Sequence, residues 1–128
     1  MIHDVLSDVL SAIKNNDRMG KKEVVVNASG MVKDVLLILQ ANGFIGNFEF
    51  IDDKKSGKFK ISLVGSVNGC GAVRPRFAVK KDGYKKYEMR FLPAAGFGFI
   101  IVSTSKGVMH HEEAKKKGVG GRLIAFVY

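Results

Sequence analysis

Residues 97–128 read FGFIIVSTSKGVMHHEEAKKKGVGGRLIAFVY, and this stretch decides the predicted architecture of the second half of the chain. The apolar run Phe97–Val102 predicts a buried strand, and the alternating pattern of Arg122–Tyr128 predicts a final strand. Between the two strands, Glu112–Lys117 predicts a short helix that a glycine ends. The second half is therefore expected to be mainly β with one short helix.

Weaker signals precede this stretch. Strand patterns occur at residues 72–73 and 77–79, on either side of Arg74-Pro75-Arg76, where the proline favours an edge or a bend. The segment Lys80–Arg90 is strongly basic with two interleaved tyrosines, and no helix or strand is predicted there. The glycine-rich segment Gly65–Gly71 indicates the joint between two lobes.

The first half shows a different pattern, in which helical and strand periodicities follow one another. The predicted order is α-β-α-β-β, with helices at Asp4–Asn16 and Ser29–Ala41 and strands at Lys22–Asn27, Ile45–Ile51 and Lys58–Val64. The expected fold class is α+β, with an N-terminal lobe over residues 1–64 and a C-terminal lobe over residues 65–128.

The positive charge of the chain is concentrated in the second lobe. The formal net charge is +9 over 128 residues. Residues 1–64 contain 9 basic and 8 acidic residues, whereas residues 65–128 contain 12 basic and 4 acidic residues. A focused positive field is typical of a protein that binds a polyanion such as nucleic acid. A charge that served solubility alone would be spread over both lobes.

The sequence predicts no signal peptide, no membrane span and no disulfide bond. The first residues carry acids and no basic segment before an apolar run, so no signal peptide is expected. No stretch approaches the roughly 20 apolar residues of a membrane span. The single cysteine, Cys70, excludes an internal disulfide and is typical of a reducing compartment. We expect a soluble, cytoplasmic protein.

Catalytic and metal sites are not predicted. The run His110–Glu113 contains ligand-type side chains, but adjacent histidines point in different directions, and too few further ligands are present for a tetrahedral site. Cys70 and Ser105 lack the spacing of a nucleophile and its base, and Cys70 fits a small buried residue in a turn. No cofactor is expected.

Two segments could contact RNA. Ser103-Thr104-Ser105-Lys106-Gly107 places three hydroxyls, a lysine and a glycine at the end of a buried strand. Hydroxyls donate and accept hydrogen bonds, and lysine attracts phosphate. An ordinary polar turn explains the same residues equally well. The second segment, Lys115–Gly121, combines lysines with glycines that allow close backbone approach to a neighbour, and its amides could meet an RNA backbone.

The chain resembles the small-subunit ribosomal protein eight family over essentially its whole length. The order of apolar strand, STSKG, helix with EEAKKK, GVGG and final strand is similar to the C-terminal signature of that family. The segment IGNFEFIDDKKSGKFKISLVG resembles its hairpin. VNGCGAVRPRF and FLPAAGFGF resemble the archaeal and eukaryotic branch.

The resemblance implies a two-lobed protein that binds small-subunit ribosomal RNA and is not an enzyme. Its ligand would be an irregular helix with an internal loop in the central domain, and it would act early in subunit assembly. The implied partners are this RNA and neighbouring ribosomal proteins, and the protein is expected to be a monomer outside the ribosome. The serine-threonine-serine segment would insert at the internal loop, and the start of the second helix would make a weaker contact.

The candidate RNA-binding residues come from the resemblance, from charge and from glycine content. Many bacterial relatives carry a glutamate where this chain has Arg122, so a role of that acid does not transfer. The contacts proposed from Arg74, Arg76, Tyr84 and Lys85 rest only on charge and aromatic character. The full set is Ser103, Thr104, Ser105, Lys106, Gly107, Ser29, Gly30, Lys33, Arg74, Arg76, Tyr84, Lys85, Lys115, Lys116, Gly120, Gly121 and Arg122.

Two alternatives remain open at the level of sequence. One is a thiol or hydrolytic enzyme that uses Cys70 or Ser105, which requires turnover that either alanine variant abolishes. The other is a translational regulator that binds messenger RNA.

Overall fold

A computed structural model describes residues 5–55, 57–73, 76–94 and 96–128. The chain divides into two compact units, Met1–Asn68 and Gly69–Tyr128. The α+β class with two lobes, which the sequence predicts, is confirmed. Among the residues described, no helix is both long and apolar enough to cross a bilayer.

The first unit has the predicted α-β-α-β-β order. Its elements are α1 (Val5–Arg18), β1 (Glu23–Asn27), α2 (Gly30–Ala41), β2 (Ile45–Ile51) and β3 (Lys58–Leu63). The strands form an antiparallel sheet in the order β1-β3-β2. The central strand β3 has the predicted period-two pattern, because Phe59, Ile61 and Leu63 are all buried on one face. The apolar stripes of both helices are also buried, as the helical spacing predicts.

A buried carboxylate fixes the end of the first unit. The two oxygens of Asp17 accept hydrogen bonds from the backbone N–H groups of Gly65 and Val67, at 2.9 and 3.0 Å. Asp17 is only 8% exposed, so these bonds satisfy a carboxylate that has lost its water. They hold residues 65–67 against α1.

The second unit is a sheet with two helices. Its elements are β4 (Cys70–Ala72), β5 (Ala78–Val79), α3 (Tyr84–Phe91), β6 (Phe99–Thr104), β7 (Gly107–His110), α4 (His111–Lys117) and β8 (Gly121–Val127). The sheet order is β4-β8-β6-β7, and β5 also pairs with β8. Helix α3 and strand β7 were not predicted from the sequence. The predicted stop of α4 is confirmed, because Gly118 adopts the left-handed conformation there.

Candidate nucleic-acid interface

The Ser103–Gly107 segment is the tip of a β-hairpin. The sequence predicts that the strand ends at Val102, but β6 continues to Thr104, which pairs with Gly107 of β7. Only Ser105 and Lys106 form the turn. Residues 100–102 are fully buried, and β6 lies between β7 and β8 in the sheet. The core strand therefore holds the tip in a defined position.

The Thr104 hydroxyl stabilises the turn itself. Its Oγ1 accepts a hydrogen bond from the backbone N–H of Lys106 at 3.1 Å and donates one to the carbonyl oxygen of Gly107 at 2.8 Å. Gly107 has a φ of +112°, a conformation that residues with a Cβ rarely adopt. Thr104 therefore uses its only donor within the hairpin, and a contact of its hydroxyl oxygen with RNA stays a prediction.

Ser103 and Ser105 differ from Thr104 because neither hydroxyl forms a hydrogen bond within the described part of the chain. Ser105 is exposed at the turn, and Ser103 is half-buried in β6. The neighbouring Lys106 is also exposed. The tip thus offers two uncommitted hydroxyls and one ammonium group to a ligand.

Arg122 lies beside this tip. In the β6–β8 register it is opposite Ser103, and opposite residues of antiparallel strands project on the same side of the sheet. The guanidinium of Arg122 is exposed and donates a hydrogen bond to the carbonyl oxygen of Arg76 at 3.4 Å. Arg76 is exposed as well. Arg122 therefore adds a positive charge on the same side of the sheet as Ser103.

The two glycines at the start of β8, Gly120 just before the strand and Gly121 as its first residue, are required for packing. A Cβ at Gly121 would lie 2.2 Å from the carbonyl oxygen of Ser103, and a Cβ at Gly120 would lie 2.3 Å from the carbonyl oxygen of Val79. The predicted close approach to a neighbouring backbone is therefore confirmed. A direct RNA contact by either glycine stays a prediction.

The lysines of α4 have different environments. Lys115 contacts the carboxylate of Glu88, and Lys117 pairs with Glu113 at 3.2 Å. Burial alone would lower the pKa of Lys115, but the hydrogen bond and charge of Glu88 raise it. Lys116 is exposed and forms no ion pair among the described residues. Its charge is more available to phosphate than that of Lys115.

Two histidines with different roles lie where β7 ends and α4 begins. His110 caps the helix, because its Nδ1 accepts a hydrogen bond from the N–H of Glu113 at 3.2 Å. His111 is 2% exposed, and its Nδ1 accepts from the N–H of Ile100 at 3.0 Å. The two rings have different hydrogen-bond partners, although both contact the ring of Phe99. The burial of His111 was not predicted.

The His111 ring is held neutral between α3 and α4. Since Nδ1 accepts from a backbone N–H, the single ring proton is on Nε2, which lies 2.9 Å from Glu88 Oε1 and 3.1 Å from Glu112 Oε1. Burial lowers the pKa of His111, although the two glutamates oppose that change. Protonation of Nδ1 would direct an N–H at the N–H of Ile100.

Glu88, His111 and Glu112 also form a group of potential metal ligands within the described residues. A metal at Nε2 would have to displace the proton that Nε2 donates, and moving that proton to Nδ1 would break the bond from Ile100. The ammonium of Lys115 already contacts Glu88. The nitrogen and oxygen atoms that a metal ion would need are therefore already engaged by the His111 Nε2–H and by the Lys115 ammonium.

Acidification is expected to destabilise the second unit through His111. The unfolded chain binds a proton near the ordinary pKa of 6.5, whereas the folded state does so only at a lower pH. Stability is thus complete above about pH 6.5 and falls as the pH drops below it, by at most about 1.4 kcal/mol per pH unit. The three tyrosines all lie in residues 69–128, so tyrosine fluorescence in urea titrations between pH 7.5 and 5.5 reports this unit selectively.

The matched variant is His111→Gln, whose amide can accept from Ile100 and donate to Glu88 without titrating in this range. We expect it to be less stable than the parent at pH 7.5 but to have a flatter pH dependence. An equal loss of stability in both proteins would show that another group is responsible.

The three other aromatic and basic candidates are Tyr84, Lys85 and Arg74. Tyr84 is 1% exposed, and its hydroxyl donates to the carbonyl oxygen of Val119 at 2.8 Å. The prediction that Tyr84 contacts RNA is therefore corrected, because its ring belongs to the core and burial raises its pKa. Lys85 is exposed beside it on α3. Arg74 lies outside the described residues.

The candidates of the first unit lie at the start of α2. The Ser29 hydroxyl accepts a hydrogen bond from the N–H of Val32 at 3.2 Å, which confirms Ser29 as the predicted N-cap. Gly30 and Lys33 follow it in the first turn, and both are exposed. The helix end and Lys33 together present positive charge at this place.

Cys70 is 7% exposed, which confirms that it is buried, but it begins strand β4 and does not lie in the predicted turn. Comparison with models of known protein families finds a match to the model described as ribosomal protein S8, over residues 4–128. The match covers nearly the whole chain and includes both units.

Proposed function

The chain belongs to the ribosomal protein S8 family, and from this premise we propose that its hairpin tip recognises an irregular helix with an internal loop in the central domain of small-subunit ribosomal RNA. The family consists of small-subunit ribosomal proteins that bind ribosomal RNA, and it is not an enzyme family. Ribosomal RNA and other ribosomal proteins are therefore its partners, and the ribosome is its location.

The observation that carries the proposal is the arrangement at the tip of β6. Two uncommitted hydroxyls lie at the end of a strand that is fixed in the core: Ser103 is in β6 beside Arg122, and Ser105 is in the turn beside Lys106. A regular A-form helix hides its base edges in a deep, narrow groove, whereas an internal loop presents bases and 2′-hydroxyls. A rigid hydroxyl-bearing tip can distinguish these surfaces, while the cations attract phosphate.

Binding at this tip selects one conformer of the internal loop. The RNA then populates the shape that later proteins require, so the protein promotes subunit assembly by a population shift. We also propose that it binds as a monomer and belongs to the archaeal and eukaryotic branch, on the basis of VNGCGAVRPRF and FLPAAGFGF. No feature of the described residues favours messenger RNA as the ligand.

Gel shifts with two RNAs test the recognition of the internal loop. One RNA is the central-domain helix, and the other is the same helix with its internal loop converted to regular base pairs. We expect the looped RNA to bind at least about 10-fold more tightly, in proportion to the one or two hydrogen bonds that pairing removes. Equal affinities would contradict recognition of the loop.

Salt dependence tests the electrostatic part of the proposal. The exposed cations near the tip and on the helices include Arg76, Lys85, Lys106, Lys116 and Arg122. If about four of them reach phosphates, a plot of log affinity against log salt has a slope of about −3 to −4. Filter-binding measurements from 50 to 400 mM potassium chloride provide this slope, and a slope near zero would contradict the role of the basic lobe.

A further inference from the structure

The first unit contains an aromatic groove at the start of α2. The groove has a volume of about 530 Å³ and is lined by Ala28, Ser29, Gly30, Lys33, Phe48, Phe50 and Phe59. Phe48, Phe50 and Phe59 lie on one face of the sheet, since Phe50 is opposite Phe59 in the β2–β3 register and Phe48 is two residues away. Both β2 rings contact Phe59 edge-on, with centroids 5.5 and 5.9 Å apart.

Phe50 is unusual because it is exposed and yet held in place. It is 59% exposed, although large aromatic side chains are usually buried. Its ring lies directly over Gly57, where a Cβ would be 2.3 Å from ring atom Cε1. The carbonyl oxygen of Gly57 accepts a hydrogen bond from the N–H of Ala28 at 3.0 Å. The residue under the Phe50 ring is therefore bonded to another residue that lines the groove.

The rim adds positive charge to this aromatic floor. Lys33 is exposed on it, and Ser29 and Gly30 place the N-terminal end of α2 beside the rings. No carboxylate is present among the described residues that line the groove. A ligand with a flat apolar ring and an attached negative charge therefore matches both the aromatic floor and the positively charged rim of the groove.

We propose that this groove binds one unpaired nucleotide of the ribosomal RNA, with its base against Phe50 and its phosphate near Lys33. The inference rests on the proposed function, because it assumes that RNA is the ligand, and it adds a base-stacking site to the first unit. Unstacked bases commonly stack on phenylalanine rings in proteins that bind RNA. The preformed floor limits the conformational entropy that binding would otherwise remove.

Photo-crosslinking tests the site directly. The full chain is bound to small-subunit ribosomal RNA transcribed with 5-bromouridine, irradiated, digested and examined by mass spectrometry. We expect an RNA-linked peptide that contains Phe50 or Phe48, and we expect the link to disappear in Phe50→Leu, which retains an apolar side chain but removes the ring. The affinity of Phe50→Leu for this RNA should fall about 10-fold.

The control variant is Ile51→Ala, since Ile51 is the next residue of β2, is 38% exposed and projects to the opposite face. It should bind like the parent. If the parent protein binds RNA but neither the crosslink nor the loss in Phe50→Leu occurs, the groove is not a nucleotide site and the proposed function stands. A protein segment crosslinked there in assembled subunits would also overturn the inference. If the parent does not bind RNA, both proposals fail.

Discussion

Replacing Ser105 with alanine is expected to weaken binding to the looped RNA by about 10-fold without changing the stability of the protein. Ser105 is exposed in the two-residue turn, and its hydroxyl forms no hydrogen bond within the described part of the chain. Alanine therefore leaves the hairpin intact. It removes a donor and acceptor that we place against bases or 2′-hydroxyls, and one such bond accounts for a change of about this size.

Two further variants separate RNA contact from hairpin structure. Thr104→Val removes both hydrogen bonds of the Thr104 hydroxyl, so it should lower the unfolding midpoint as well as the affinity. Ser62→Ala changes an exposed serine in β3 and should affect neither property. Gel shifts and urea titrations on all three proteins provide the comparison. If Ser105→Ala binds the looped RNA as the parent does, the tip is not the recognition element.

The sequence predicts those parts of the fold that local periodicity determines. In β3 the alternation of Phe59, Ile61 and Leu63 with polar residues marks a strand with one buried face, and the structure has that strand in the centre of the sheet. Ser29 was recognisable as a helix cap because a short side-chain acceptor preceded a helical stripe. Both signals depend only on neighbours within a few residues.

Helix α3 was missed although its sequence carries a signal. Tyr84, Tyr87 and Phe91 are spaced by three and four residues, which is helical periodicity. Their aromatic character and the lysines between them are equally typical of a segment that contacts RNA. In the structure Tyr84 is in the core, while Tyr87 and Phe91 are stacked with their ring centroids 6.5 Å apart. The spacing of these aromatic residues therefore indicates their structural role better than their residue type does.

The environment of His111 could not be predicted from its neighbours in the sequence. Its partner Ile100 is 11 residues away, on a strand that the sequence predicts. Its partner Glu88 is 23 residues away, on helix α3, which was not predicted. Strand β7 was missed for a related reason, because four residues with two apolar positions are too short for periodicity to identify. Long-range pairing, rather than local preference, determines both features.

Gly121→Ala is expected to lower the free energy of unfolding of the second unit by about 3 kcal/mol. The added Cβ would lie 2.2 Å from the carbonyl oxygen and 2.9 Å from the carbonyl carbon of Ser103. Neither atom can move by rotation of a side chain, so strands β6 and β8 must separate where Thr104 pairs with Gly121. Displacement of β6 at this point also displaces the hairpin tip, and RNA affinity should fall with stability.

Gly30→Ala is the matched control for stability. A Cβ at Gly30 meets no atom within 4 Å, and Gly30 has no positive φ, so alanine in the first turn of α2 should leave stability unchanged or slightly raised. Tyrosine fluorescence in urea detects the effect of Gly121→Ala, because residues 69–128 contain every tyrosine, and circular dichroism detects the control. Equal midpoints for Gly121→Ala and the parent would contradict the close contact between β8 and Ser103. The hairpin tip would then owe its position to β6 and β7 alone, and the glycine before Arg122 would be available for the RNA backbone contact that its sequence context first suggested.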